Sequence, residues 1–143
     1  MFKEIGSRKE AVRLGMAYLD RFMKQHGLAL VFEENYKYGA AKMVGACCVI
    51  DVSVDRYDTG VSIYIVDPQT HNKYWYGDIL KRKNAFKVGT REFKIKTKTL
   101  AWKASVNEEI YLTLKNLEQQ MNTYCSDILS GDFSSLSDLK ICD

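Results

Sequence analysis

The chain has 143 residues, the size of one domain. With 46% apolar and 27% charged residues it has the composition of a folded globular protein, which excludes a disordered chain and a membrane protein. The net charge of +3 hides an uneven distribution: residues 1–80 carry 10 basic and 10 acidic side chains, residues 81–103 carry 9 and 1 (net +8), and residues 104–143 carry 2 and 7 (net −5).

In chain order, Ser7-Arg8-Lys9-Glu10 is a capping box, in which hydroxyl and carboxylate each satisfy a free backbone donor, and it opens a helix. Val12, Gly15, Met16, Leu19, Phe22 and Met23 recur at helical spacing, and Gly27 stops the helix. Leu28 to Phe32 reads as a first strand. Glu33 to Gly39 reads as a loop whose tyrosines fold back on the sheet. Cys48 to Tyr57 alternates, with Cys48, Ile50, Val52 and Val54 apolar against Val49, Asp51, Ser53 and Asp55, the pattern of a half-buried antiparallel strand. Asp58-Thr59-Gly60 turns the chain into a hairpin partner whose inward face is Val61, Ile63 and Ile65.

Asp67-Pro68 ends that strand, and Lys73 to Tyr76 is a short further one. Asp78 caps a helical turn reaching Lys83. Phe93 to Thr99 alternates again, with Lys94, Lys96 and Lys98 on one side, as on an edge guarded against pairing. Ile110, Leu114, Leu117, Met121, Tyr124 and Ile128 mark a long amphipathic helix, started by a capping box at Ser105 to Glu108 and closed at Gly131. A short turn over Ser134 to Leu139 follows. The order predicts one α+β domain spanning residues 1–143. It has an antiparallel sheet of four to five strands with an N-terminal and a long C-terminal helix packed on one face. The other sheet face is expected to be wet.

No secretory pattern is legible between Phe2 and Arg13, and no apolar run approaches the roughly 20 residues that cross a bilayer. Cys47, Cys48, Cys125 and Cys142 form no C-x-x-C motif and no metal-ligand array, so the expectation is a reduced cytoplasmic chain without metal or disulfide framework. Asp51 and Asp55 stand about 13 Å apart at roughly 3.3 Å per residue, too far to share one cation. No glycine-rich phosphate loop is present, so no cofactor is expected. His71 with Cys47 or Cys48 is the nearest approach to a nucleophile and base, but no third residue is marked to orient the base. The chain is therefore expected to be no enzyme; a Cys/His or carboxylate site is the alternative.

The basic band at 81–103, with Tyr74, Trp75 and Tyr76 beside it, admits two binding readings. Lysines and arginines next to aromatic platforms suit single-stranded nucleic acid. The same residue types also dominate protein interfaces, where charge steers the encounter. The protein-binding reading takes Trp75 as anchor, flanked by Tyr74, Tyr76 and Arg82, with Lys94, Lys96 and Lys98 as the steering row. Nucleic acid is the weaker choice. The opposed charges also suit a self-complementary homodimer.

The hairpin from Asp51 to Val66, the Tyr/Trp-rich segment before Gly77-Asp78-Ile79-Leu80, and the terminal stretch Tyr124 to Leu136 together resemble the small α+β immunity-type proteins of bacterial toxin systems. The resemblance implies a cytosolic, non-catalytic protein that binds a cognate toxin and blocks it. It carries over no individual binding residue.

Overall fold

A computed structural model describes residues 5–33, 39–54, 61–83 and 102–142, with the backbone alone for 102–105. Helix α1 (Arg8–Tyr18) begins where its cap predicts: Ser7 is extended, its Oγ accepts the Glu10 amide at 3.1 Å, and Glu10 Oε2 accepts the Gly6 amide at 2.9 Å. The helix expected to run unbroken to Gly27 is two helices. Leu19 leaves helical geometry at φ −83°, ψ 5°, and α2 (Asp20–His26) follows. The offset lets Leu19 and, from α2, Phe22 and Met23 reach the same core as Val12 and Met16. Gly27 then takes the left-handed conformation at φ 66° that ends α2.

The sheet is a five-stranded antiparallel meander in the order β1 (Ala29–Phe32), β2 (Ala40–Val44), β3 (Val49–Val54), β4 (Val61–Val66), β5 (Lys73–Trp75). The inward residues of β3 and β4, Ile50, Val52, Val54, Ile63 and Ile65, are buried as their alternation predicts. Strand β2 escapes the sequence reading. It lies between β1 and β3, with Ala41 opposite Val52 and Met43 opposite Ile50, and buries Ala41 and Met43. The predicted turn at Asp58 to Gly60 and the predicted strand Phe93 to Thr99 lie outside the described residues.

Helix α3 (Tyr76–Arg82) leaves β5 directly, with Trp75 in the capping position and Asp78 inside the first turn instead of at its head. Helix α4 (Trp102–Tyr124) is the long amphipathic helix, but it starts three residues before the Ser105 box, so that box lies inside the helix and not at its start. Its stripe of Ile110, Leu114, Leu117 and Met121 is fully buried, and beyond Tyr124 the stripe continues through Cys125 into α5 (Ser126–Leu129). Gly131 ends that turn at φ 92°: its amide donates to the Ile128 carbonyl at 3.0 Å and the Asp132 amide to the Asp127 carbonyl at 2.9 Å, the paired bonds of a Schellman closure. A 3₁₀ turn (Ser134–Leu136) completes the chain's last layer.

All helices and the inward sheet face share one core. Polar links pass through it: Asn107 Nδ2 donates to the Ile5 carbonyl at 2.9 Å, and the Tyr76 hydroxyl donates to Gln120 Oε1 at 3.1 Å. Burial pushes the Tyr76 hydroxyl's pKa up, so it is a neutral donor at any ordinary pH.

Candidate binding face

The strand register orders the outer sheet face into rows. Val31, Lys42, Asp51, Tyr64 and Trp75 lie side by side across all five strands, and Ala29, Val44, Val49, Val66 and Lys73 form the next row. Along β5, alternation divides the aromatic triplet. Tyr74 turns into the core, where its ring stacks with Phe133 at 6.3 Å, and Tyr76 is buried in α3, while Trp75 is 47% exposed on the outer face. Its indole folds back over Gly77, where an added Cβ would lie 2.7 Å from the ring.

Beside Trp75, Lys73 Nζ stands 4.4 Å above the Tyr64 ring and 3.9 Å from Asp51 Oδ2. One exposed indole, a phenol ring carrying a cation, and the exposed valines Val31 and Val44 thus share one surface. Lys73, Val31 and Val44 are members of this face that sequence reasoning did not single out. Lys73 was passed over as one residue of a short strand, and Val44 lies on the strand that went unread.

The basic band meets the acidic chain end inside the molecule. Arg82 pairs with Asp138, and Lys83 Nζ lies 2.7 Å from Asp127 Oδ2, which also accepts the Ser135 hydroxyl at 3.0 Å. Arg82 and Lys83 are therefore paired with Asp138 and Asp127. On α4, Glu118 pairs with Arg21 of α2. Lys94, Lys96 and Lys98 lie outside the described residues.

Burial would raise the carboxyl pKa of Asp127, but hydrogen bonds from Lys83, the Ile128 amide and Ser135, with the Lys83 charge, outweigh it and hold it below the usual range. A depressed carboxylate contributes stability that is fully present above its unfolded value, about 3.9, and is lost as pH falls through the folded value. Asp127→Asn should therefore lower the melting temperature at pH 6, with the deficit shrinking as both proteins are taken towards pH 2.5. A constant deficit across that range would show that the charge contributes nothing.

The thiols and histidines lie in unlike surroundings. Cys48 and Cys125 are buried, and burial above all pushes each up to about 12. Cys47 is exposed and Cys142 half-buried. A disulfide-exchange reagent should label Cys47 rapidly and Cys48 and Cys125 only on unfolding; rapid reaction of all four thiols would contradict this burial. His71 is exposed in the turn after Pro68 at φ 64°, and His26 Nε2 lies 2.8 Å from Asn122 Oδ1 at the end of α2. A cleft lined by Lys9, Val12, Arg13, Phe32 and Glu33 encloses about 20 Å³, room for about one water.

Among the described residues no group of three or more His, Cys, Asp or Glu side chains is placed to hold a metal ion, and no described helix is long and apolar enough to cross a membrane. No family model, curated protein or solved structure matches the chain.

Proposed function

We propose that this chain is a non-catalytic, cytoplasmic binding protein of the immunity type, which engages a partner protein such as a cognate toxin through the outer face of its sheet. The observation that carries the reading is the division of the aromatic triplet. Tyr74 and Tyr76 serve the core, whereas Trp75 is left exposed next to Tyr64 and Lys73. A half-exposed tryptophan costs solubility where it stands, and tryptophan is the side chain most enriched among residues that dominate interface energy. Lys94, Lys96 and Lys98 remain as the steering charges of this reading, since Arg82 and Lys83 are engaged within the fold. That engagement also removes two cations from the nucleic-acid alternative, which needs several lysines free for phosphate.

Co-expression with the product of the neighbouring gene, followed by titration of the co-purified protein, tests the proposal. Trp75→Ala should weaken binding at least tenfold, about 1.4 kcal/mol, with the melting temperature unchanged. Equal affinity of the variant would remove Trp75 from the interface. Charge reversal at Lys94, Lys96 and Lys98 should slow association and weaken its salt dependence.

A further inference from the structure

The two edges of the sheet are finished differently. Alongside β5 the Cys142 amide donates to the Lys73 carbonyl at 2.7 Å, so the chain end occupies that edge. Alongside β1 no pairing exists among the described residues. The Glu33 amide donates to the Ala40 carbonyl at 3.0 Å, and antiparallel alternation then turns the backbone groups of Val31 and Ala29 towards β2 as well. Leu30 and Phe32 therefore direct their N–H and C=O groups outward, two donors and two acceptors on an open edge. The strand reads Ala-Leu-Val-Phe, without the lysine, proline or inward charge that protects exposed edges. Val31 is 48% exposed on the outer face, and Leu30 and Phe32 are only half-buried on the inner one.

We infer that β1 pairs antiparallel with β1 of a second copy about a two-fold axis through Val31, joining two five-stranded sheets into one of ten strands. In this register Leu30 faces the partner's Phe32 and Phe32 faces the partner's Leu30. Each pair exchanges two N–H···O bonds, so all four open groups on each copy are used. Val31 meets the partner's Val31 at the closely spaced position on the outer face. The half-buried Leu30 and Phe32 complete their burial against their counterparts on the inner one.

Other registers fail on particular groups. A one-residue slip sets the helical layers on opposite sides. A slip of two towards the strand's start faces Phe32 with the partner's Leu28, an amide that already donates to the Met23 carbonyl at 2.8 Å. The opposite slip sets Val31 against a Glu33 carboxylate. In the favoured register Glu33 stands opposite the small, uncharged Ala29, so the two Glu33 carboxylates do not face each other. A four-residue contact buries less than the roughly 800 Å² per partner of a standard interface, so the dimer forms in the micromolar range or weaker.

Sedimentation equilibrium of the full chain from a few to several hundred micromolar tests this. The mass should rise from 16.4 kDa towards twice that value. Val31→Lys and Val31→Glu, both at a half-exposed site, should each remain at the lower mass with melting temperatures close to that of the unaltered chain. Mixing the two variants in equal amounts should restore association. The amides of Leu30 and Phe32 should gain exchange protection with concentration, while that of Val31 should not. A chain that stays at 16.4 kDa throughout, a Val31→Lys variant that associates normally, or a mixture that does not reassociate would each overturn the inference. Trp75 lies at the other end of the sheet, so Trp75→Ala leaves the dimer intact, and this result is separable from the proposed partner binding.

Discussion

Replacing Gly15 with alanine should destabilise the protein by about 2 kcal/mol, although alanine is the better helix former by about 1 kcal/mol. Gly15 lies on the buried side of α1, where α4 crosses it. A Cβ at that position would lie 2.5 Å from Leu114 Cδ1 and 2.7 Å from Leu114 Cβ. Rotating the leucine relieves the first contact but not the second, because Leu114 Cβ is fixed to the α4 backbone. The two helices must move apart, and the fully buried Leu114, Met16 and Val12 then lose contact together. Thermal denaturation reads this as a loss of roughly 2–4 °C per kcal/mol at this chain size. Leu114→Ala alone leaves a cavity and costs about 2–5 kcal/mol, but the double variant should lose less than the sum, because the new methyl enters the vacated space. A Gly15→Ala protein as stable as the parent would show that the helices are not in close contact there.

Phe22→Ala should have the larger effect, about 3–5 kcal/mol, out of the roughly 5–15 kcal/mol that holds a domain of this kind folded. Helix α2 has seven residues, well below the roughly 12–15 at which an isolated helix becomes even marginal, so contacts with the rest of the fold hold it. Its buried residues are Phe22 and Met23, and Phe22 is among the largest fully buried side chains in the core. The Phe22 ring also meets the His26 ring edge-on at 4.9 Å, which aims His26 at Asn122 on α4. Truncation therefore opens a cavity and releases the link between α2 and α4. Urea unfolding should show a much lower midpoint, and amide exchange should quicken first in α2 and β1. Phe22→Leu, which keeps most of the volume, should cost about 1.5 kcal/mol or less. A cost below about 1 kcal/mol for the alanine variant would mean that α2 is anchored elsewhere.

The elements legible in the sequence were those whose local and tertiary demands agree. Ser7 and Glu10 cap α1 through contacts four residues apart or fewer, and the alternation of β3 and the stripe of α4 each bury the residues they mark. Strand β2 was not legible because Ala40-Ala41-Lys42-Met43-Val44 has a single β-branched residue. It is a strand because β1 and β3 supply its hydrogen bonds and the core takes up Ala41 and Met43 from its inner face. The break at Leu19 carries no glycine or proline signal; it is set by where the core needs Leu19 and Phe22. At the candidate face, alternation alone would have separated Trp75 from Tyr74. The pairing of Arg82 and Lys83 with residues more than 40 positions further along could not be foreseen, because it depends on how the chain end folds back.

That chain end has a consequence for assembly geometry. A sheet with two free margins can add units without limit, and each addition presents a fresh margin to the next. Here the Cys142 amide shuts one margin against Lys73, while the ion pairs of Asp127 and Asp138 hold the closing segment down. In the proposed dimer, growth through the remaining margin would consume it, so two copies would exhaust the capacity to pair, and the acidic tail would be the terminator that separates a finite complex from a fibre.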